Sequence, residues 1–214
     1  MERKMFSENT LKQAETFDKI GDVYESAFGV NPAQVSATEW LIQNLPTNAQ
    51  VLDVGCGAGV PTAQLIANAG FNVTGIDSSV EMLRLAQQKV PNGTFRLMDM
   101  TDLSLDGLMF QGMAAFFSLL MLPRADIVPT IRQLTRYLES ESYVVISMVE
   151  GNFDYFTIPF LGHTINVSAY SAGEFADILN TENLHVIDVQ TVDFSPNENA
   201  DPETQAFYYC QYRP

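Results

Sequence analysis

Val51-Leu52-Asp53-Val54-Gly55-Cys56-Gly57-Ala58-Gly59-Val60-Pro61 is the stretch on which the reading of this chain turns. A short apolar run passes into a turn of small residues, whose backbone can approach a ligand closely because glycine carries no side chain. Pro61 then opens a helix, so the turn presents its amides at a helix N-terminus, where anions and polar ligand groups are held. A second apolar run ends at Gly75-Ile76-Asp77. That carboxylate falls roughly twenty residues on, where nucleotide-binding βαβ units hold ribose hydroxyls. Together these features describe a pocket for a nucleoside.

The glycine spacing narrows which nucleoside. A dinucleotide fingerprint, G-x-G-x-x-G, places its third glycine where Val60 stands, whereas here the glycines are Gly55, Gly57 and Gly59. An NAD-dependent oxidoreductase is disfavoured accordingly.

Working outward toward the C-terminus, short apolar runs alternate with helical ones. Strands are expected at Val51 to Val54, Phe71 to Ile76, Thr94 to Met98, Met113 to Phe117 and Tyr143 to Met148, with helices at Pro61 to Ala69, Val80 to Lys89 and Ala125 to Leu138. This is the rhythm of a doubly wound parallel sheet. It breaks after Glu150, where Phe153 to Phe160 and His163 to Tyr170 flank Leu161-Gly162 and predict an inserted β-hairpin, residues 150–170. A helix at Ala172 to Leu179 follows, then two strands, Leu184 to Val192 and Gln205 to Tyr212. The polar segment Pro196 to Glu203 joins them as antiparallel neighbours.

Toward the N-terminus, Leu11, Phe17, Ile20, Tyr24 and Phe28 recur at near-helical spacing, with Gly21 dividing them into two short helices. A further helix starts after Asn31 with Pro32 at its first position, turns Val35, Leu41, Ile42 and Leu45 inward, and stops at Leu45-Pro46. Residues 1–46 thus form a helical segment before the sheet, and 1–214 a single domain.

The first motif resembles that of class I S-adenosylmethionine (SAM)-dependent methyltransferases. The likeness extends through Gly75-Ile76-Asp77 to Met98-Asp99-Met100 and covers roughly Leu41 to Met148. It implies an α/β, Rossmann-like sheet of seven strands in the order 3-2-1-4-5-7-6, the last antiparallel, with SAM as cofactor and S-adenosylhomocysteine (SAH) as product. By position, Asp53, Gly55 and Gly57 would hold the methionine end, with Cys56 filling space in the turn. Asp77, with Ser78 beside it, would take the ribose. Asp99 would accept from the adenine amino group while Met100 packs on the ring. Phe117 and Ser118, ending the fourth strand, would lie near the sulfonium. Taken singly, Asp53 or Asp99 would read as a cap or turn residue; it is the ordered series that favours a cofactor site.

Similarity to small-molecule methyltransferases of the quinone-biosynthesis type further implies that Phe17 to Tyr24 folds over the cofactor as a lid. Tyr24 would be either its contact or an aromatic packed in the helix core. On the acceptor side, His163 is the first candidate for a base, against the reading of a polar turn histidine, with Asp154 and Tyr155 behind it and His185 inside a strand. The tract Phe116 to Pro123 reads mainly as core, or as one wall of an apolar acceptor pocket. The hairpin would serve as a cap or a dimer contact, leaving monomer and homodimer both open.

Composition removes other classes. Of the 214 residues 46% are apolar, and the net charge of −15 repels a phosphate backbone, which disfavours nucleic acid and anionic membrane surfaces. No apolar run reaches membrane-spanning length, and the two basic residues at the start precede no signal-length apolar stretch, so a cytoplasmic protein is expected. Cys56 and Cys210 form no disulfide framework, and no His/Cys cluster has zinc spacing. The expected activity is methyl transfer to an O, N or C atom of a small metabolite, without metal. The alternative is the same fold binding SAM or SAH as a non-methylating cyclase or regulatory module.

Overall fold

The computed structural model describes residues 6–21, 23–28, 30–195 and 202–214, without the side chains of Glu25, Ser26 and Phe28. Met1 to Met5, Asp22 of the expected lid, the side chain of Phe28 and the loop residues Pro196 to Asp201 lie outside the described residues.

Three helices precede the sheet: α1 (Glu8–Ile20), α2 (Val23–Phe28) and α3 (Pro32–Asn44). The first two are divided at Gly21, whose φ of 48° suits a residue without a side chain. α3 begins where Asn31 accepts hydrogen bonds from the amides of Ala33 and Gln34, with Pro32 at the first helical position. Leu41 is fully buried, whereas Val35, Ile42 and Leu45 are only partly covered.

The sheet then forms from β1 (Gln50–Val54), α4 (Thr62–Asn68), β2 (Asn72–Asp77), α5 (Val80–Lys89), β3 (Thr94–Leu97), β4 (Phe110–Phe116), α6 (Arg124–Thr135) and β5 (Leu138–Val149). A hairpin of β6 (Phe153–Phe160) and β7 (His163–Ala169) stands apart, and the chain closes with α7 (Ala172–Thr181), β8 (Leu184–Phe194) and β9 (Glu203–Tyr212). The order is β3-β2-β1-β4-β5-β9-β8. Only β9 runs against its neighbours. With the hairpin strands left out of the count, this is the order that the resemblance implies.

Alternation along the strands divides the core between two faces. Leu52 and Val54 pack with Ile127, Ile131 and Leu134 of α6 and Phe175 and Leu179 of α7. Val51 packs on the other face with Ala37 and Leu41 of α3 and Ala63 and Ile66 of α4. Each such Val, Leu, Ile or Phe side chain, fully buried, contributes about 1.5–3 kcal/mol of transfer free energy.

Several boundaries differ from the sequence reading; β5, for example, begins at Leu138, where the helix α6 was expected to continue. α4 begins at Thr62, so Pro61 precedes the helix instead of opening it. β4 starts three residues earlier than its continuous apolar run suggests. Gly112 lies inside the strand, where an added Cβ would meet Leu45 Cδ2 at 2.6 Å. The strand also ends at Phe116, because Phe117 turns to a φ of 51°. Among the described residues no helix is long and apolar enough to cross a membrane, and no group of three or more His, Cys, Asp or Glu could hold a metal ion.

Candidate active site

A cavity of about 1520 Å³ opens at the C-terminal ends of β1, β2, β4 and β5, beneath α1 and the hairpin. A single small ligand typically fills about 300–1,000 Å³, so this volume accommodates two bound molecules side by side.

Its first half is written in the main chain. The amides of Gly55 and Cys56 both donate to the Ile76 carbonyl, which brings the glycine turn against the end of β2. Gly55 has a φ of 68°, and a Cβ on it would sit 2.4 Å from Ser118 Cβ. Only glycine permits that approach of β1 to the end of β4. The Asp77 carboxylate accepts from the amides of Gly57 (2.9 Å) and Ser79 (2.8 Å). Burial raises its pKa, and these backbone donors oppose the rise.

Asp53 is 3% exposed, and its Oδ2 is buried without a partner among the described residues. Burial, and then the nearby charge of Asp77, push its pKa up to about 7. A carboxylate so placed is stabilised by an incoming cation, such as an ammonium group. Asp99 is also buried; its Oδ1 accepts from the amide and hydroxyl of Thr101, and its Oδ2 from the Ser7 amide at 3.4 Å. Asp53, Gly55, Cys56, Gly57, Asp77 and Ser78 all line the cavity, and so do Asp99, Met100, Phe117, Ser118 and Tyr24.

α1 is tied down along its length. Asp18 accepts from the Ser79 hydroxyl (2.7 Å) and the Glu81 amide, while Gln13 donates to the Asn166 carbonyl of β7 at 2.6 Å. Phe17, Tyr24 and Phe160 form a cluster with ring centroids 6.0–6.2 Å apart, which joins the N-terminal helices to the hairpin. Burial, then the charges of Asp77 and Glu203, push the Tyr24 phenol up to about 12. The phenol therefore stays protonated near neutral pH.

The second half is apolar, with Phe153, Ile158, Phe160, Ile165 and Val167 on the hairpin's inner side. The Phe116 to Pro123 tract joins this wall at every position but Leu119, while also contributing Leu119 and Leu120 to the core. It is both core and wall, because a buried strand end borders the cavity directly.

The acceptor-side candidates fare differently. His163 is exposed at the hairpin's turn, paired across it with Phe160, and does not line the cavity. It shares strand parity with Ile165 and Val167, which line the cavity, but stands at the exposed tip of the hairpin beyond them. Asp154 accepts from the Arg124 amide at 2.8 Å and so caps the start of α6. Tyr155 is outside the lining as well, and His185 is exposed on β8. Burial holds the Cys56 thiol well above its ordinary pKa, which suits a space filler and not a nucleophile.

Several lining residues escaped the sequence reading: Gln13, Gln34, Thr62, Glu203 and Gln205. Of the polar groups on this side only Asn31 left a signal, as the cap before Pro32.

Residues 51–141 match the family described as a methyltransferase domain. The O-methyltransferase cnsE of Penicillium expansum is 28% identical over 211 residues, covering 94% of this chain and 69% of the relative. YqeM of Bacillus subtilis, named as a methyltransferase, is 34% identical over 116 residues, 52% of this chain; the chain spans about half, 47%, of that relative's length. Among solved structures, the Burkholderia thailandensis 1,6-didemethyltoxoflavin-N1-methyltransferase, bound to its acceptor and SAH, superposes with a TM-score of 0.73 at 16% identity. That superposition covers 100% of this chain and 94% of the other, a likeness of fold. Residues 51–141 are thus similar to a methyltransferase domain, and the fold is shared with a methyltransferase solved with SAH bound.

Proposed function

We propose that this chain is a class I SAM-dependent methyltransferase, which transfers the methyl group of SAM to an oxygen, nitrogen or carbon of a small apolar metabolite and releases SAH. The observation that carries this reading is the unpartnered, buried Oδ2 of Asp53, in a cavity that continues into an apolar wall. When bound, the cofactor supplies an electrophilic methyl group on a sulfonium.

The residues of this chain supply binding, orientation and dryness. Asp53 accepts from the methionine ammonium beside the turn of Gly55, Cys56 and Gly57. Asp77, held by two backbone amides and flanked by Ser78, accepts from the ribose hydroxyls. Asp99 accepts from the adenine amino group, and Met100 packs against the ring. Phe117 and Ser118 border the place where cofactor and acceptor meet. α1 and α2 close over the site, where Tyr24 donates a hydrogen bond. Holding the acceptor in line and excluding water provides most of the rate enhancement, since the reacting carbon is already activated. His163, Asp154 and Tyr155 have no part in this reading. The net charge of −15 supports a small acceptor over a nucleic acid.

Calorimetry with SAM and SAH, followed by detection of SAH formed with a panel of small phenols, amines and activated-carbon acceptors, tests the proposal. Binding with turnover is expected. Binding without turnover on any acceptor supports the cyclase or regulatory alternative, and no binding to the folded chain removes both.

A further inference from the structure

The cavity has a polar corner that the cofactor residues do not use. Five carboxylates line it, Asp53, Asp77, Asp99, Asp126 and Glu203, against Lys89 as the sole Lys or Arg among the described lining residues. The first three belong to the cofactor half, and Asp126 is exposed in the first turn of α6. Glu203 remains, partly buried at the start of β9.

Glu203 is held in place by a chain of side-chain amides. Gln205 Nε2 donates to Glu203 Oε1 at 2.8 Å, and Asn31 Nδ2 donates to Gln205 Oε1 at 2.7 Å. Asn31 is itself fixed, because its Oδ1 caps α3. Gln205 and Asn31 are 3% and 8% exposed, so the chain is sheltered from water and rigid. Glu203 Oε2 has no partner among the described residues. Gln205 pairs in register with Val149, which lines the cavity just ahead of Phe153, so this corner adjoins the apolar wall of the hairpin. Beside Asp53 Oδ2, a further polar atom of the same cavity lacks a partner among the described residues: Ser118 Oγ, in a residue 5% exposed at the end of β4.

Resting on the proposed methyltransferase reading, we propose that the acceptor is an apolar molecule bearing a cationic ammonium group, with its body against Phe153, Ile158, Phe160, Ile165 and Val167 and its charge on Glu203. A partly desolvated carboxylate with one free oxygen binds a cation more strongly than a neutral donor and repels an anion. The excess of carboxylates adds to this preference at longer range.

The test titrates three probes of one shape into the SAH-loaded full chain by calorimetry: 2-naphthylmethylamine, 2-naphthalenemethanol and 2-naphthoate. The amine should bind at least tenfold more tightly than the carboxylate. The gap should shrink with added salt, and Glu203→Gln, nearly isosteric, should reduce it about tenfold. Equal affinity of amine and carboxylate, failure of all three to bind, or a preference that survives Glu203→Gln would each overturn the inference. The comparison among probes on the wild-type chain stands even where the variant folds poorly. SAH binding on the same sample separates the two readings: without it the methyltransferase proposal itself fails, and with it a missing amine preference sinks only this inference.

Discussion

The two halves of the cavity hold their polar groups by different means. Along β1 to β3, the turn is fixed by main-chain bonds to the Ile76 carbonyl, and Asp77 is held by the amides of Gly57 and Ser79. Along β5 and β9, Glu203 is held by the side chains of Gln205 and Asn31, the latter 174 residues distant from Gln205. A main-chain site depends on where glycines permit approach. A side-chain site depends on which residues the fold happens to bring together. Glycine substitutions should therefore damage the first half and spare the second.

The largest effect is expected from Gly55→Ala compared with Gly162→Ala. Both glycines have positive φ, 68° and 78°. At Gly55 the added Cβ would lie 2.4 Å from Ser118 Cβ, whereas at Gly162 nothing lies within 4 Å. Gly162→Ala should cost about 1–2 kcal/mol for its left-handed backbone and leave SAH affinity within about twofold. Gly55→Ala carries the same backbone cost together with the clash, and should lower Tm further while weakening SAH at least hundredfold. Equal losses in the two variants, by calorimetry and thermal unfolding, would abolish the distinction between the halves.

Asp77→Ala comes next. Losing charged hydrogen bonds to the ribose should cost about 1–3 kcal/mol, or roughly 5- to 150-fold in SAH affinity, with unfolding still cooperative. An unchanged Kd would mean that the backbone bonds to Asp77 are its whole purpose.

The same contrast explains what could be read without coordinates. The glycine turn and the carboxylates Asp53, Asp77 and Asp99 were legible as candidates because main-chain geometry leaves local traces: a glycine at positive φ, a carboxylate at a strand end, a proline beside a helix start; the sheet order came from the family resemblance. Even the hairpin was visible, as two β-rich segments around Leu161-Gly162. The acceptor side left few traces. His163 was chosen for its chemistry, but it stands at the exposed tip of the hairpin, past the residues that line the cavity. Glu203 and Gln205 carried no local signal at all, since their role depends on β9 pairing beside β5.

A pH titration sharpens the comparison through Asp53, which Asp77 and the Cys56 thiol face in the same half. Its folded pKa is raised to about 7 from 3.8. The folded state then binds more protons than the unfolded between these values, so this group's contribution is fully present below about 4 and is lost as pH rises toward 7. A ligand ammonium reverses the preference, because it needs the carboxylate. SAH should therefore bind more tightly as pH rises from about 6 to 8, by up to about tenfold, with proton release measurable in buffers of different ionisation enthalpy. Asp53→Asn should flatten the profile. A profile that stays steep in that variant would assign the proton to another group.

The smallest effect on the cofactor is expected from Phe160→Ala, across the boundary between the halves. Its ring meets Phe17 and Tyr24 at 6.0 and 6.2 Å, and aromatic pairs of this kind are worth about 0.5–1.5 kcal/mol each beyond their buried area. Phe160 also belongs to the apolar wall, so its loss should raise the acceptor KM several-fold. SAH affinity should change no more than about threefold, since α1 remains tied to the cofactor half through Asp18 and Ser79 and to the hairpin through Gln13 and Asn166. A large loss of SAH binding with KM unaffected would mean that the aromatic cluster serves the cofactor and not the acceptor. The hairpin would then belong to the half of the site that the glycine turn begins.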